Sequence, residues 1–374
     1  MKKIIALILT MALAFGLLTG CAGTTVVIGE CTCPCVTEDA APAEPAPAPE
    51  AAPQVPTEDT NVEITADLVK TGLSVSTNIG DTVAAAADAN GAVKYDVTLA
   101  AVTVDDQGVI RSCVIDSIPA TLEFDATGTI TSDITAPVLT KNELGADYGM
   151  VAWGGAVAEW DAQVKAVADY AVGKTVEELK NGDIDMTTGK AKDGTDLQSS
   201  ATIYLAGYVY AIEAAVNNAQ YLGATSGDEL VLATLPSLKN SVSVTAENAG
   251  LSQLDADIVA LTRNNGVITS CYIDSLQAKV EFDNIGAILT ELTNPIYTKN
   301  ELGADYGMVA WGGAIAEWNE QAAAFAQYIT GKTVDEVAGI AITETTKPAD
   351  GSDLASSVTI AIGGFQALIA KAMR

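Results

Sequence analysis

The chain has 374 residues, a length that accommodates two or three domains. Its formal net charge is −29, with 19 Lys and Arg, 48 Asp and Glu and no histidine. This balance excludes a basic nucleic-acid-binding surface, His-dependent catalytic triads and His-ligated metal sites. Apolar residues make up 49% of the chain, which is enough for packed cores.

The first predicted element is an export signal. Lys2 and Lys3 precede an apolar run over residues 4–18, and residues 18–21 read Leu-Thr-Gly-Cys. The run is short for a membrane span. The ending resembles the lipobox of bacterial lipoproteins, so residues 1–20 are predicted to be a lipoprotein signal peptide and Cys21 the lipidated residue. An ordinary secretory signal is the alternative.

A tether is predicted over residues 21–61. Residues 36–61 are rich in Pro, Ala and Glu and have no apolar periodicity. An extended Pro-rich segment of this length reaches about 80 Å. Residues 21–61 also contain Cys31, Cys33 and Cys35, before the Pro-rich part. These are interpreted as disulfides or free thiols, because three clustered thiols without a fourth ligand suit zinc poorly. No metal site is predicted.

An internal repeat organises the remainder. Residues 140–160 read TKNELGADYGMVAWGGAVAEW, residues 298–318 read TKNELGADYGMVAWGGAIAEW, and 20 of these 21 positions are identical. Residues 112–130 match residues 270–288 in the same alignment. A period this long indicates a whole domain. Two tandem copies are therefore predicted, residues 62–222 and 229–374, and each is expected to fold independently.

Local patterns predict the elements of one copy. These are a hairpin (95–104 with 109–118), a second hairpin (121–124 with 129–134), a helix (156–172) ending at Gly173, a short helix capped by Thr175 and Glu178, and a helix over the apolar run 201–216. Strands followed by helices, twice over, predict an α+β fold. Cys113 and Cys271 occupy matching apolar strands and are interpreted as buried core thiols.

The most informative motif occurs once in each copy. Residues 196–202 read DLQSSAT and residues 353–359 read DLASSVT. This resembles the flavinylation motif of FMN-binding domains, D-x-x-[ST]-G-A-[ST], whose last hydroxyl carries FMN through a phosphodiester bond. The resemblance implies two covalent FMN cofactors, on Thr202 and Thr359. The other motif positions are Asp196, Ser199, Ser200 and Ala201, and Asp353, Ser356, Ser357 and Val358.

The chain as a whole looks like the two-domain flavinylated lipoproteins of Gram-positive extracellular electron transfer. This resemblance implies an electron carrier, not an enzyme, anchored by lipid to the outer face of the cell membrane. A flavin transferase would be one partner and a membrane quinone pathway the electron donor. Soluble or mineral acceptors such as ferric iron would receive the electrons. The alternative is a non-redox surface lipoprotein that binds a small molecule or a partner.

Physical arguments bear on the motif. A phosphate is favoured at a helix N-terminus, and the run 201–216 is expected to open such a helix. Asp and Ser before an apolar helix are also ordinary N-caps, so the alternative is that the motif only caps a helix and binds no flavin. Ser200 and Ser357 replace the family's Gly, and Val358 replaces Ala. A β-branched residue is expected to crowd Thr359.

The repeated block supplies candidate flavin contacts. Aromatic and thioether groups in a Gly-rich loop can cover a flat ring, and charged groups can meet its polar edge. The alternative is a purely structural loop. The candidates are Lys141, Glu143, Tyr148, Met150 and Trp153 in the first copy, and Lys299, Glu301, Tyr306, Met308 and Trp311 in the second.

Overall fold

Long antiparallel strands form the centre of each copy. The computed structural model describes residues 67–374, so the predicted signal peptide, the lipidated Cys21, the clustered cysteines and the tether lie outside the described residues. The first sheet has the order β1–β2–β3 and the second β6–β7–β8, with every neighbouring pair antiparallel. The strands are β1 (Lys70–Asn78), β2 (Gly91–Val104), β3 (Ile110–Phe124), β4 (Ile184–Asp185), β5 (Lys190–Ala191), β6 (Glu229–Ser237), β7 (Gly250–Asn264) and β8 (Val267–Phe282).

Helices follow the strands in each copy, so the α+β prediction is confirmed. In the first copy they are α1 (Lys141–Leu144), α2 (Met150–Gly154), α3 (Trp160–Ala171), α4 (Val176–Asn181), α5 (Asp196–Ser200) and α6 (Ala206–Asn217). In the second copy they are α7 (Lys299–Leu302), α8 (Met308–Gly312), α9 (Trp318–Ile329), α10 (Val334–Ala338) and α11 (Gly363–Ala372). Single 3₁₀ turns occupy Gly145–Tyr148, Gly303–Tyr306 and Asp353–Ser356.

Both faces of each sheet are buried. Along β2, Val97, Leu99 and Ala101 point to one face, and Ala100 and Val102 point to the other, as the two-residue strand period requires. The second set packs under α3 and α6 in a core that belongs to the first copy alone. The equivalent face of the second sheet packs under α9 and α11.

The remaining faces of the two sheets pack against each other. Phe124 stacks on Phe282 with ring centroids 4.1 Å apart, and the Tyr95 hydroxyl donates to the Ser252 carbonyl at 3.0 Å. This apolar layer draws on both copies, and the described residues 67–374 belong to one compact unit. Each copy has its own helix-side core, but the sheet-side core is shared, which argues against the expectation that the halves fold independently.

Backbone hydrogen bonds join the copies at the ends of the strands. The Ala85 N–H donates to the Gly286 carbonyl at 2.9 Å, and the Val244 N–H donates to the Gly128 carbonyl at 2.9 Å. These bonds consume groups that a separate domain would expose to water.

Local predictions had mixed outcomes. The first hairpin is confirmed and is longer than predicted, and the capping box of Thr175 and Glu178 starts α4 as expected. Gly173 follows α3 with φ +82, a conformation that glycine adopts without strain. That helix begins at Trp160, four residues later than predicted.

Two predicted elements were wrong. Residues 129–134 form no strand; only Ile130 bridges to Phe124, and the ladder stops there because the Glu123 N–H donates to the Ser132 hydroxyl at 2.8 Å. The apolar run from residue 201 becomes helical only at Ala206. Cys271 is buried as predicted, whereas Cys113 is only half-buried.

Candidate functional site

The motif threonines lie in the links between two helices. Thr202 follows α5 and precedes α6, and Thr359 follows the 3₁₀ turn Asp353–Ser356 and precedes α11. Thr202 is exposed and Thr359 is half-buried. The prediction that Thr202 lies at the start of a long helix is therefore wrong: α6 begins at Ala206, four positions later, which is about one helical turn.

A buried glutamine binds each motif threonine. Gln163, on α3, accepts hydrogen bonds from the Thr202 N–H at 2.8 Å and from the Thr202 hydroxyl at 3.2 Å. Gln321, on α9, accepts from the Thr359 N–H at 2.7 Å and from its hydroxyl at 3.1 Å. Both glutamine side chains are fully buried. The helix does not begin at Thr202, because the Leu205 N–H that would close its first turn donates to the Gly189 carbonyl at 2.6 Å instead.

The rest of the motif leaves its polar side chains exposed. Thr195 and Ser352 cap the short helical segments, and Asp196 and Asp353 are the first residues inside them. The alternative in which the aspartates are the N-caps is therefore wrong. The serines Ser199, Ser200, Ser356 and Ser357 are exposed and donate to carbonyls within the same turns.

The departures from the family motif produce no strain in the structure. Ser357 has φ −119, which any residue adopts, so the missing Gly costs little here. Ala201 and Val358 are both buried. The predicted crowding of Thr359 by Val358 is wrong, because the valine side chain packs into the core below the threonine.

The repeated block is held by a set of carboxylate contacts. Thr140 and Glu143 form a capping box around α1, as Thr298 and Glu301 do around α7. Glu159 accepts hydrogen bonds from the Met150 and Val151 N–H groups at 2.8 and 3.1 Å. Glu317 binds Met308 and Val309 at the same distances. Glu143 and Glu301 thus have structural roles in the block.

Buried aspartates on β3 and β8 attach this block to the sheets. Asp116 accepts a hydrogen bond from the Asn142 N–H, and Asp274 accepts one from the Asn300 N–H, both at 3.1 Å. Burial raises the pKa of Asp274 to about 6, although hydrogen bonds from Thr298 and two backbone N–H groups act against this rise. Burial also raises the pKa of Asp116.

A lysine and three aromatic rings join the repeated block to helices α3 and α6. The Lys141 Nζ lies 5.3 Å from the ring centre of Tyr148 and 5.2 Å from that of Trp160. Trp160 donates through Nε1 to the Tyr208 hydroxyl on α6 at 3.0 Å. Trp160 is one turn from Gln163. The first turn of α3 therefore contacts both the repeated block, through Trp160, and the motif threonine, through Gln163.

The charge around this lysine differs between the copies. Burial alone would lower the pKa of Lys141, but Asp96, 3.3 Å from its Nζ, contributes to a net rise. In the second copy Lys299 lies 5.3 Å from the ring centre of Tyr306 and 4.9 Å from that of Trp318. No ion pair to Lys299 occurs within residues 67–374.

The predicted tryptophans of the block are almost fully exposed. Trp153 is 90% exposed and Trp311 is 89% exposed. Each indole lies directly over a glycine of positive φ, Gly149 or Gly307, where a Cβ atom would collide with the ring. Tyr148 and Met150, like Tyr306 and Met308, are half-buried and pack on the helix-side cores.

Thr202 lines an open cleft of about 520 Å³, formed with the β4–β5 hairpin. Its charged lining residues are Asp185, Lys190, Lys192 and Asp193. The second copy has Lys347 at the position of Lys190 but Ala349 at that of Lys192. It also has Thr343 at the position of Asp185, so the second copy has one lysine and one aspartate fewer at these positions.

Sequence reasoning missed the residues that position the site. Gln163, Glu159 and Asp116, and their counterparts Gln321, Glu317 and Asp274, are identical between copies. Their identity within otherwise drifting segments, such as WDAQ against WNEQ, was the available signal.

No family model, no curated protein and no solved structure matches this chain. Within residues 67–374, no helix is both long enough and apolar enough to cross a bilayer.

Proposed function

We propose that this protein is an electron carrier with two FMN groups, each linked by a phosphodiester bond to a motif threonine. The observation that carries the proposal is the recurrence of one arrangement: an accessible threonine hydroxyl, at the end of D-x-x-S-S-[AV]-T, held by a buried glutamine in both copies. When bound, the flavin supplies reversible uptake and release of electrons. The protein itself makes and breaks no substrate bond.

The residues around Thr202 suit such a group. The cleft lies within the range of about 300–1,000 Å³ that is typical of small-molecule sites. Lys190 and Lys192 line this cleft together with Asp185 and Asp193 and would supply positive charge for a phosphodiester. Trp153, in the repeated block and not in the lining of the cleft, offers an exposed aromatic face for a flat ring. Lys141, Tyr148 and Met150 remain candidate contacts of the ring.

The cellular role rests on the N-terminal pattern. Lipidation at Cys21 would place the carrier on the outer face of the membrane, and the tether of residues 21–61 would let it reach acceptors away from the lipid. Electrons would come from a membrane quinone pathway and leave to soluble or mineral acceptors. Covalent attachment prevents loss of the cofactor by diffusion outside the cell. The two FMN-binding domains would be residues 62–222 and 229–374.

The direct test is intact mass after coexpression with a flavin transferase. Wild-type protein is expected to gain two FMN equivalents. Thr202→Ala and Thr359→Ala should each lose one, and the double variant should lose both. Thr202→Ser and Thr359→Ser are the matched controls, because they keep the hydroxyl and should still be modified.

Two results contradict the proposal. Covalent flavin in the double Ala variant would show that the attachment sites are misassigned. Wild-type protein that stays colourless with an active transferase would favour the non-redox binding lipoprotein.

A further inference from the structure

The buried glutamine beneath each motif threonine has its amide orientation fixed by its neighbours. The Gln163 Nε2 donates to the Ala158 carbonyl at 2.8 Å, and its Oε1 faces the Thr202 N–H. A carbonyl only accepts and a backbone N–H only donates, so the reverse orientation would lose both bonds. Gln321 repeats this arrangement with the Ala316 carbonyl and the Thr359 N–H.

This fixed orientation determines where the threonine proton points. The Gln163 Oε1 has no hydrogen to give, so the Thr202 hydroxyl must be the donor in their 3.2 Å contact. The hydroxyl hydrogen then points inward to the glutamine. The lone pairs of Oγ1 are left to face away from it, on a residue that is exposed to solvent. This orientation leaves the lone pairs free to attack, and the proton leaves the glutamine when a base takes it.

We infer that Gln163 and Gln321 are positioning residues for flavin attachment, holding the motif threonine hydroxyls in the reactive orientation. The inference rests on the proposed function. In the attachment step, the Thr202 Oγ1 forms a bond to the flavin-side phosphorus of FAD. The bond from that phosphorus to the bridging oxygen breaks and AMP leaves, while the hydroxyl proton breaks its hydrogen bond to Gln163 and passes to a base of the transferase or to solvent. No electrons are transferred.

The glutamine orients the hydroxyl but does not remove its proton, since a neutral amide oxygen is a poor base. After attachment, the hydrogen bond from the hydroxyl is lost and the bond from the Thr202 N–H remains. In the second copy, Gln321 also accepts from the Ile360 N–H at 3.2 Å. The same side chain therefore fixes the backbone at the attachment point before and after the reaction.

The experiment compares the two threonines within one chain. Gln163→Met keeps the side-chain volume and removes the acceptor, and it is treated with transferase and FAD in a time course. Peptide masses give the rate of modification at each threonine. We expect the Thr202 rate to fall about tenfold or more against the Thr359 rate, because one oriented hydrogen bond and one buried N–H lose their partner. Gln321→Met should give the opposite ratio.

Gln366→Met is the matched control. Gln366, on α11, donates to the Val337 and Ile340 carbonyls and does not contact Thr359. Its replacement should leave the ratio of the two rates unchanged. If Gln366→Met lowers the Thr359 rate as much as Gln321→Met does, the effect is general loosening of the helix and the inference fails.

A second variant covers the case in which Gln163→Met unfolds the first copy. Gln163→Glu, when protonated, can donate to the Ala158 carbonyl and accept from Thr202, as glutamine does. Its Thr202 rate should approach that of wild type at low pH, where the carboxyl is protonated, whereas the Thr359 rate follows the wild-type pH profile. A Thr202 rate lost equally at every pH would overturn the inference.

Folded Met variants modified at wild-type rates would also overturn it. Wild-type protein that is unmodified at both threonines would refute the proposed function instead, so the two failures are distinguishable.

Discussion

Trp153 and Trp311 are large apolar side chains that the fold leaves almost fully exposed, although their surroundings are well ordered by the carboxylate contacts of Glu159 and Glu317. We expect each tryptophan to lie close to the flavin ring. Trp153→Leu with Trp311→Leu should retain covalent FMN but change its visible spectrum and reduction potential, whereas the Phe replacements, which keep a ring, should change them less. An unchanged spectrum, with tryptophan emission indifferent to flavin, would return the block to a purely structural role.

Asp274 connects the repeated block to the sheet, and the burial of its carboxyl group makes the free energy of unfolding depend on pH. Its pKa of about 6 in the folded protein lies above the ordinary value of 3.8, so the folded state holds a proton that the unfolded chain releases. The associated stability is fully present below about pH 4 and is lost as the pH rises through about 6. Asp274→Asn should therefore gain stability relative to wild type between pH 4 and pH 7.5, by up to about 3 kcal/mol. Urea unfolding at both pH values measures this, and an equal difference at both would contradict it.

At the scale of elements, α1 of the first copy has a contact that α7 of the second lacks. Glu143 pairs with Lys371 of α11 at 2.5 Å, while Glu301 forms its capping box and no ion pair within residues 67–374. Glu143→Gln keeps an acceptor for the capping box and removes the ion pair, so it should lower the free energy of unfolding by about 0.5–1 kcal/mol. Glu301→Gln is the control and should have almost no effect. Equal effects would show that the ion pair contributes nothing.

The elements also show what a sequence reveals and what it conceals. Capping boxes and the glycine after α3 were predictable, because their signals lie within a few neighbouring residues. The start of α6 was not, because the Leu205 N–H that an earlier turn needs donates to the Gly189 carbonyl, 16 positions away. The second hairpin stops after one bridge for a similar reason, since the Ser132 hydroxyl accepts the Glu123 N–H that a longer ladder would use. The motif threonines were found from a resemblance, but the glutamines beneath them needed the fold.

At the scale of the molecule, the shared apolar layer predicts that the halves cannot be separated without consequence. Residues 62–222 or 229–374 alone would expose the sheet face that carries Phe124 or Phe282. Each half is expected to self-associate or aggregate, and an equal mixture should form a stable heterodimer, as measured by sedimentation. Monomeric halves that each unfold cooperatively would contradict this prediction.

The same layer makes unfolding a property of the whole unit. Phe282→Ala would leave a cavity against Phe124 and should cost about 3–5 kcal/mol. Because the cavity lies between the copies, thermal unfolding should remain one transition at a lower temperature. Two separated transitions would show that the copies unfold independently.

Phe124 and Phe282 are the same position of the repeat, so this residue stacks on its own counterpart. The backbone bonds at the strand ends obey the same rule, since Ala85 binds Gly286 where Val244 binds Gly128. Reciprocal contacts of this kind are the signature of an isologous interface with two-fold symmetry. The chain thus has the geometry of a homodimer whose subunits have been joined by a linker. A single-copy ancestor would have paired through this face, and fusion then freed each half to diverge, as Lys192 and Ala349 have done beside their threonines.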